Sequence, residues 1–131
     1  MYITATYAAI LGIVLVALSI RTIGLRRELK IAIGDGGDER MRRAMRVHAN
    51  FVEYVPITLL LAFFLETSTS RVWMVHFIGG CLVVGRLLHA YGVSQSPEPF
   101  RLRVAGMVLT FTALLSAAIG LLVMQGLRLF V

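Results

Sequence analysis

The sequence predicts an all-α integral membrane protein, a bundle of four transmembrane helices, and three observations lead to that prediction. The 131-residue chain is 58% hydrophobic and only 15% charged, whereas an average soluble domain carries roughly 25% charged residues. Its mean hydropathy is +0.83. A chain this apolar has more apolar surface than a soluble domain of this length can bury. Four apolar runs follow one another, each close to the ~20 residues that cross a bilayer. We expect residues 1–131 to form a single membrane domain.

The first predicted transmembrane helix covers about residues 2–20. No basic residue precedes this run and a basic cluster follows it, which is the reverse of a cleaved signal peptide. Residues 21–43 form the next loop, in which the glycines and aspartates of residues 34–38 interrupt the helix. Glycine tolerates turn conformations and aspartate caps helices, so the second helix is expected to start after this segment.

The remaining predicted helices cover about residues 44–65, 72–91 and 102–127, with residues 92–101 as the loop before the last one. Pro56 is expected to kink the second helix. Small residues let helix backbones approach closely in a membrane. That role is expected of four glycines: Gly79, Gly80, Gly85 and Gly106.

The distribution of charge predicts the topology. The net charge is +6, and eight of the 13 basic residues lie between Arg21 and Arg46. In a soluble chain this excess would suggest nucleic acid. Here it fits the rule that basic loops stay in the cytoplasm, so loops 21–43 and 92–101 are predicted to be cytoplasmic and both termini outside. Cys81 is the single cysteine, which excludes an intrachain disulfide and a thiolate cluster, and no metal site is expected.

Ionisable residues inside the predicted helices are the main functional signal, because each costs about 2.5–3.5 kcal/mol at the bilayer centre. Arg46, Asn50 and Glu53 are spaced i, i+4, i+7 and share one helix face. Arg86 lies at a similar depth on the third helix. Glu53 and Arg86 could form an ion pair that only positions two helices. A pocket for a polar anion is the other interpretation, because further cations converge on the same half: Arg43, Arg101 and Arg103.

Other polar residues leave two interpretations open. His89, one turn after Arg86, is either an interfacial histidine or a ligand contact. Tyr54 and Tyr91 are either interfacial aromatics or pocket walls. His48 lies on the face opposite Arg46, and we expect it to form an interhelical hydrogen bond.

The stretch from residue 46 to residue 56, R-x-x-x-N-x-x-E-Y-x-P, resembles the signature of the MAPEG superfamily, the membrane-associated proteins of eicosanoid and glutathione metabolism. The four apolar segments and the basic first loop are also similar, most of all to the short bacterial branch. The resemblance implies a homotrimer in a bacterial inner membrane. It also implies glutathione as co-substrate, bound between subunits in the cytoplasmic half of the bilayer, and a lipophilic substrate that arrives from the membrane lipids.

The resemblance also implies roles for individual residues. Arg46, Asn50, Glu53 and Tyr54 match glutathione-contacting positions of the second helix, and Ala49 stands where some members have another arginine. The family arginine that stabilises the thiolate at the start of the fourth helix falls on Arg101 or Arg103. The remaining matches lie near the ends of the first and third helices: Arg26, Arg86, His89 and, with different spacing, Tyr91.

The function that the resemblance implies is a glutathione-dependent transferase or peroxidase that conjugates or reduces lipophilic electrophiles. A non-catalytic membrane protein that binds lipids or anions is the alternative, because the superfamily includes such a member and a fold does not establish an activity. A transporter or channel subunit is a third possibility. A conduction path would need polar residues across the full thickness of the bundle. The fourth helix has almost no polar side chains, which argues against this possibility.

Overall fold

The computed structural model describes residues 2–69 and 71–129. Four α-helices account for most of them: α1 (Ile3–Leu29), α2 (Glu39–Ser68), α3 (Val72–Ser94) and α4 (Phe100–Leu129). Each of the four is long and apolar enough to cross a membrane. The prediction of an all-helical chain with four membrane-spanning candidates is therefore confirmed.

Two helices extend further into the first loop than the predicted spans. α1 continues to Leu29. Arg26 and Arg27 lie in its last turn, where their positive charges interact favourably with the negative end of the helix dipole. Lys30 then adopts a left-handed conformation (φ 55°) and ends the helix. Asp38 caps α2 by accepting a hydrogen bond from the backbone N–H of Met41 at 2.9 Å. The loop between the first two helices thus shortens to residues 30–38.

The helices pack around a central pair, α2 and α3. α1 and α4 each contact both members of this pair, and they do not contact each other within the described residues. The core between the helices includes Leu11 of α1, Phe51 of α2, Leu82 of α3 and Ala113 of α4. Large apolar side chains also cover the outer faces, for example Ile13 of α1 and Leu115 of α4. A bundle with this outer surface is suited to a surrounding of lipid or of neighbouring subunits.

α3 and α4 approach each other closely at two glycines, Gly85 and Gly106. A Cβ atom on Gly106 would lie 2.6 Å from the backbone nitrogen of His89 and 2.7 Å from the carbonyl oxygen of Gly85. Gly79 lies against the ring of Tyr7 in the same way. The expected close approach is confirmed for these three glycines. It is wrong for Gly80, where a Cβ atom would meet nothing within 4 Å.

Polar contacts attach α1, which buries only Thr4 and Leu11. The carboxylate of Glu66, near the end of α2, accepts hydrogen bonds from the backbone N–H groups of Ile3 (2.5 Å) and Thr4 (2.9 Å). The free N–H groups of a helix N-terminus are thereby paired by a neighbouring helix. Further along α1, Ser19 lies 3.0 Å from Nε2 of His48, so the interhelical hydrogen bond expected for this histidine is confirmed.

Replacing Gly106 with alanine should destabilise the bundle by about 1–3 kcal/mol, because the added Cβ atom would push against backbone atoms that cannot rotate away. The measurement is the thermal midpoint of unfolding of the detergent-purified chain, followed by circular dichroism. Gly80→Ala on α3 is the matched control, since its Cβ atom has open space. Equal midpoints for the two variants would contradict the close α3–α4 contact.

Candidate functional site

A polar cleft of about 490 Å³ opens at the end of the bundle where α2 and α4 begin and α3 ends. Six of the residues singled out in the sequence lie on its wall: Arg43, Arg46, Asn50, Glu53, His89 and Arg103. Five further residues complete the wall: Glu39, Arg42, Ala49, Val93 and Glu98. The lining thus carries four arginines, three glutamates, one asparagine and one histidine, which suits a ligand with charges of both signs.

The face of α2 supplies the central part of this wall. Arg46, Asn50 and Glu53 lie together because α2 is continuous through them, as their i, i+4, i+7 spacing predicts. The side chains of Arg46 and Glu53 are exposed in the cleft. Neither forms an ion pair or a side-chain hydrogen bond within residues 2–69 and 71–129. One cation and one anion of the cleft are therefore available to a ligand.

Arg86 lies behind the wall and is only 1% exposed. Its Nε donates to Oγ1 of Thr110 at 2.9 Å, and its Nη1 donates to Oδ1 of Asn50 at 2.5 Å. The guanidinium also lies over the ring of Tyr54, 5.7 Å from the ring centroid. These contacts join α2, α3 and α4 through a single side chain.

The alternative in which Glu53 and Arg86 form an ion pair is wrong. Arg86 points between the helices to Asn50 and Thr110, whereas the Glu53 side chain lies in the open cleft. Arg86 acts instead by holding the amide oxygen of Asn50, which leaves the amide N–H groups of Asn50 for a ligand. Thr110 was missed in the sequence because a threonine in an apolar helix normally bonds to its own helix. Its hydroxyl does donate to the carbonyl of Gly106 at 2.8 Å, and it accepts from Arg86 as well.

Glu98 connects the two sides of the cleft. One carboxylate oxygen accepts from Arg43 of α2 at 3.0 Å and the other from Arg103 of α4 at 3.2 Å. Desolvation raises the pKa of Glu98, but the hydrogen bonds and charges of Arg43 and Arg103 outweigh it and hold this pKa below its ordinary value. The sequence by itself predicted no role for Glu98. The one signal for it is that this acid lies in the short loop just before two arginines.

The two arginines considered for the start of the fourth helix differ in position. Arg103 is on the cleft wall, with its side chain half-exposed beside Glu98. Arg101 is exposed and lies off the wall. The structure therefore places Arg103, and not Arg101, on the wall of this cleft.

Four other residues of the predicted set lie off the wall. Arg26 donates from Nη1 to the carbonyl oxygens of Ala32 (3.2 Å) and Gly34 (3.1 Å), and it thereby secures the loop after α1. Tyr91 is 59% exposed on α3. The other two are Arg86 and Tyr54, which stack on each other behind the cleft. Across the described residues, no three histidine, cysteine, aspartate or glutamate side chains gather closely enough to hold a metal ion.

Comparison with known proteins identifies the family. The model of the MAPEG family matches residues 4–123, a range that includes every residue of the cleft wall. The chain is also 40% identical over 113 residues to the inner membrane protein YecN of Escherichia coli, both in strain K12 and in strain CFT073. That alignment covers 86% of this chain and 85% of each relative. The chain, with its four helices and the polar cleft at one end, belongs to the MAPEG family.

Proposed function

We propose that this chain is a glutathione-dependent membrane transferase or peroxidase, and that glutathione binds in the 490 Å³ cleft. The observation that carries the proposal is the arrangement of Arg46, Asn50 and Glu53 on one wall with Arg103 at the start of α4. Glutathione offers carboxylates, an ammonium group, two amides and a thiol. Each of these groups has a chemically matched partner in the cleft, and family membership supports the assignment.

In this proposal the α2 face holds the peptide. The free guanidinium of Arg46 pairs with a glutathione carboxylate, and such charge-assisted bonds are the strong ones. Glu53 accepts from the ammonium group, and the Asn50 amide bonds the peptide amides. Arg86 is a positioning residue, since it reaches the ligand only through Asn50.

Arg103 would stabilise the thiolate of glutathione. A free cysteine-type thiol has a pKa near ~8.5, and lowering it by two units requires about 2.7 kcal/mol of preferential stabilisation of the thiolate. A guanidinium is permanently charged. Arg103 also lies in the first turn of α4, where the helix dipole adds partial positive charge. Binding would replace part of the contact between Arg103 and Glu98.

The chemistry of the bound thiolate follows from its nucleophilicity. In conjugation, the sulfur forms a bond to an electrophilic carbon while the leaving group departs with its bonding electrons. With a lipid hydroperoxide, the sulfur attacks an oxygen, the O–O bond breaks, and the alkoxide takes up a proton and leaves as an alcohol. The resulting sulfenic acid reacts with a second glutathione to give the disulfide and water.

The proposal also covers the membrane location, the orientation and the oligomeric state of the enzyme. Two relatives are named inner membrane proteins, and we infer the same location here. The basic residues around the loops 30–38 and 95–99 favour the cytoplasmic side for the cleft and the outside for both termini. We infer a homotrimer, in which Arg26, which lies off the cleft wall of its own chain, would approach the cleft of a neighbouring subunit. The lipophilic substrate would then enter from the surrounding lipid.

A non-catalytic role in anion binding is the second candidate. The observation that favours it is the Arg103–Glu98 ion pair, which already neutralises the cation that would activate the thiol. The two candidates differ in one measurable property. An enzyme must convert bound glutathione to its thiolate near neutral pH, and a binding protein need not.

Arg103→Ala should abolish thiolate formation by bound glutathione at pH 7, because only a few per cent of an unassisted thiol is ionised there. The measurement is an ultraviolet thiolate difference spectrum of the detergent-purified chain titrated with glutathione. Arg101→Ala is the matched control, since this arginine lies off the wall, and it should keep the thiolate band. A band that survives Arg103→Ala would refute the proposed role. Saturable binding of glutathione with no thiolate band in the unchanged chain would support the non-catalytic role.

Glu98→Gln should tighten glutathione binding by up to about fivefold, the range expected when a partly exposed ion pair no longer competes with the ligand. The competition is present at pH 7, because the lowered pKa keeps Glu98 charged, and it is lost only as the pH falls through that lowered value. Isothermal titration calorimetry measures the affinity. Glu28→Gln is the control, since Glu28 pairs with Arg40 away from this cleft. Weaker binding by Glu98→Gln would mean that Glu98 assists the ligand and does not compete with it.

A further inference from the structure

A second, smaller cleft of about 280 Å³ lies next to the first one, between the end of α1, the start of α2 and the loop from α3 to α4. Three arginines, Arg21, Arg40 and Arg43, line it together with the hydroxyls of Ser94 and Ser96. Glu39 is the acid on its wall, and Arg43 pairs with that carboxylate at 2.6 Å. The lining therefore has an excess of hydrogen-bond donors and of positive charge, which fits an oxyanion.

Arg21 is the residue that sets this cleft apart from an ordinary basic surface. It follows the apolar run of α1, is partly buried, and donates from Nη1 to the hydroxyl of Ser94. No carboxylate lies within ion-pair distance of it in the described part of the chain. A partly desolvated guanidinium without an anion is costly near the hydrocarbon, so such a residue normally marks a partner or a pathway.

Arg21 lies at the boundary between the apolar run of α1 and the charged end of the same helix. α1 continues for eight residues beyond it to Leu29, which is about 12 Å at ~1.5 Å per residue. Ile20 and Ile23, on either side of Arg21 in the sequence, are exposed on the outer face of α1. The guanidinium is therefore level with apolar side chains that face outward, and the charged end of α1 lies beyond it.

The other charges around the cleft permit an anion to bind. Arg40 is engaged with Glu28, but both side chains of this pair are more than half exposed, at 60% and 57%. Ion pairs at such exposed sites are worth little, so Arg40 can exchange Glu28 for a ligand at small cost. Arg43 remains shared between Glu39 and Glu98. Leu25 adds an apolar wall next to these donors.

We propose that the second cleft binds the phosphate group of an anionic phospholipid, with Arg21, Arg40 and Ser96 as its donors. Basic pockets between transmembrane helices are a recognised setting for acidic headgroups. A volume of 280 Å³ is at the small end for a ligand site and fits a headgroup without its acyl chains. The acyl chains would leave past Leu25 along the apolar face of α1. The site adjoins the proposed glutathione cleft, and two residues, Glu39 and Arg43, line both.

Arg21→Gln should weaken binding of phosphatidylglycerol by about tenfold or more, the loss expected when a charge-assisted hydrogen bond is removed. Native mass spectrometry of the full chain, released from a neutral detergent with phosphatidylglycerol or phosphatidylcholine added, measures both affinities. The unchanged chain should prefer phosphatidylglycerol. Arg27→Gln is the matched control, because Arg27 is exposed on the same end of α1 and lies off the cleft. It should reduce the affinity far less.

A second variant and a competition experiment complete the test. Ser96→Ala, a smaller change that removes one of the proposed donor hydroxyls, should also weaken phosphatidylglycerol binding, and circular dichroism checks that each variant folds. Millimolar inorganic phosphate should not displace the lipid. Displacement by inorganic phosphate would overturn the lipid in favour of a free phosphate. Equal affinity for the two lipids, or equal losses in Arg21→Gln and Arg27→Gln, would overturn the site itself. Arg103→Ala should keep lipid binding, so this proposal and the glutathione proposal can fail separately.

Discussion

The buried guanidinium of Arg86 is the contact on which the polar end of the bundle depends. A charge at 1% exposure must have its hydrogen bonds satisfied, and here a threonine, an asparagine and the face of a tyrosine do so from two other helices. That arrangement requires α3 and α4 to approach closely, which Gly85 and Gly106 permit. One side chain thus determines how three helices meet and how Asn50 faces the cleft.

The cleft in front of Arg86 combines charges that are free with charges that are already paired. Arg46 and Glu53 are open to a ligand, whereas Arg43 and Arg103 share the carboxylate of Glu98. Under the proposed function, a ligand would supply both a cation for Glu53 and anions that compete with Glu98. The zwitterionic peptide that we propose fits this double requirement better than a simple anion does.

The basic cluster of the sequence is divided between two adjacent clefts, for which we propose two kinds of ligand. Arg46 and Arg103 face the large cleft, and Arg21 and Arg40 face the small one, with Arg43 between them. Several arginines that fit the positive-inside rule for membrane topology therefore also line the two clefts. α1 is the least buried helix, and its contacts at Glu66, His48 and Ser94 are polar. Occupation of the small cleft would add a further bridge between α1 and the rest of the bundle.

The sequence by itself determined the four helices and the face that carries Arg46, Asn50 and Glu53. Hydropathy and helical periodicity are properties of one segment, so they can be read without knowing its neighbours. The tertiary structure alone decided the partners of Arg86, the bridge made by Glu98, and the position of Arg103 on the cleft wall with Arg101 off it. It also placed Arg26 in a loop contact and Arg21 beside Ser94. These contacts depend on the rotation, depth and separation of whole helices, which the spacing within one helix does not specify.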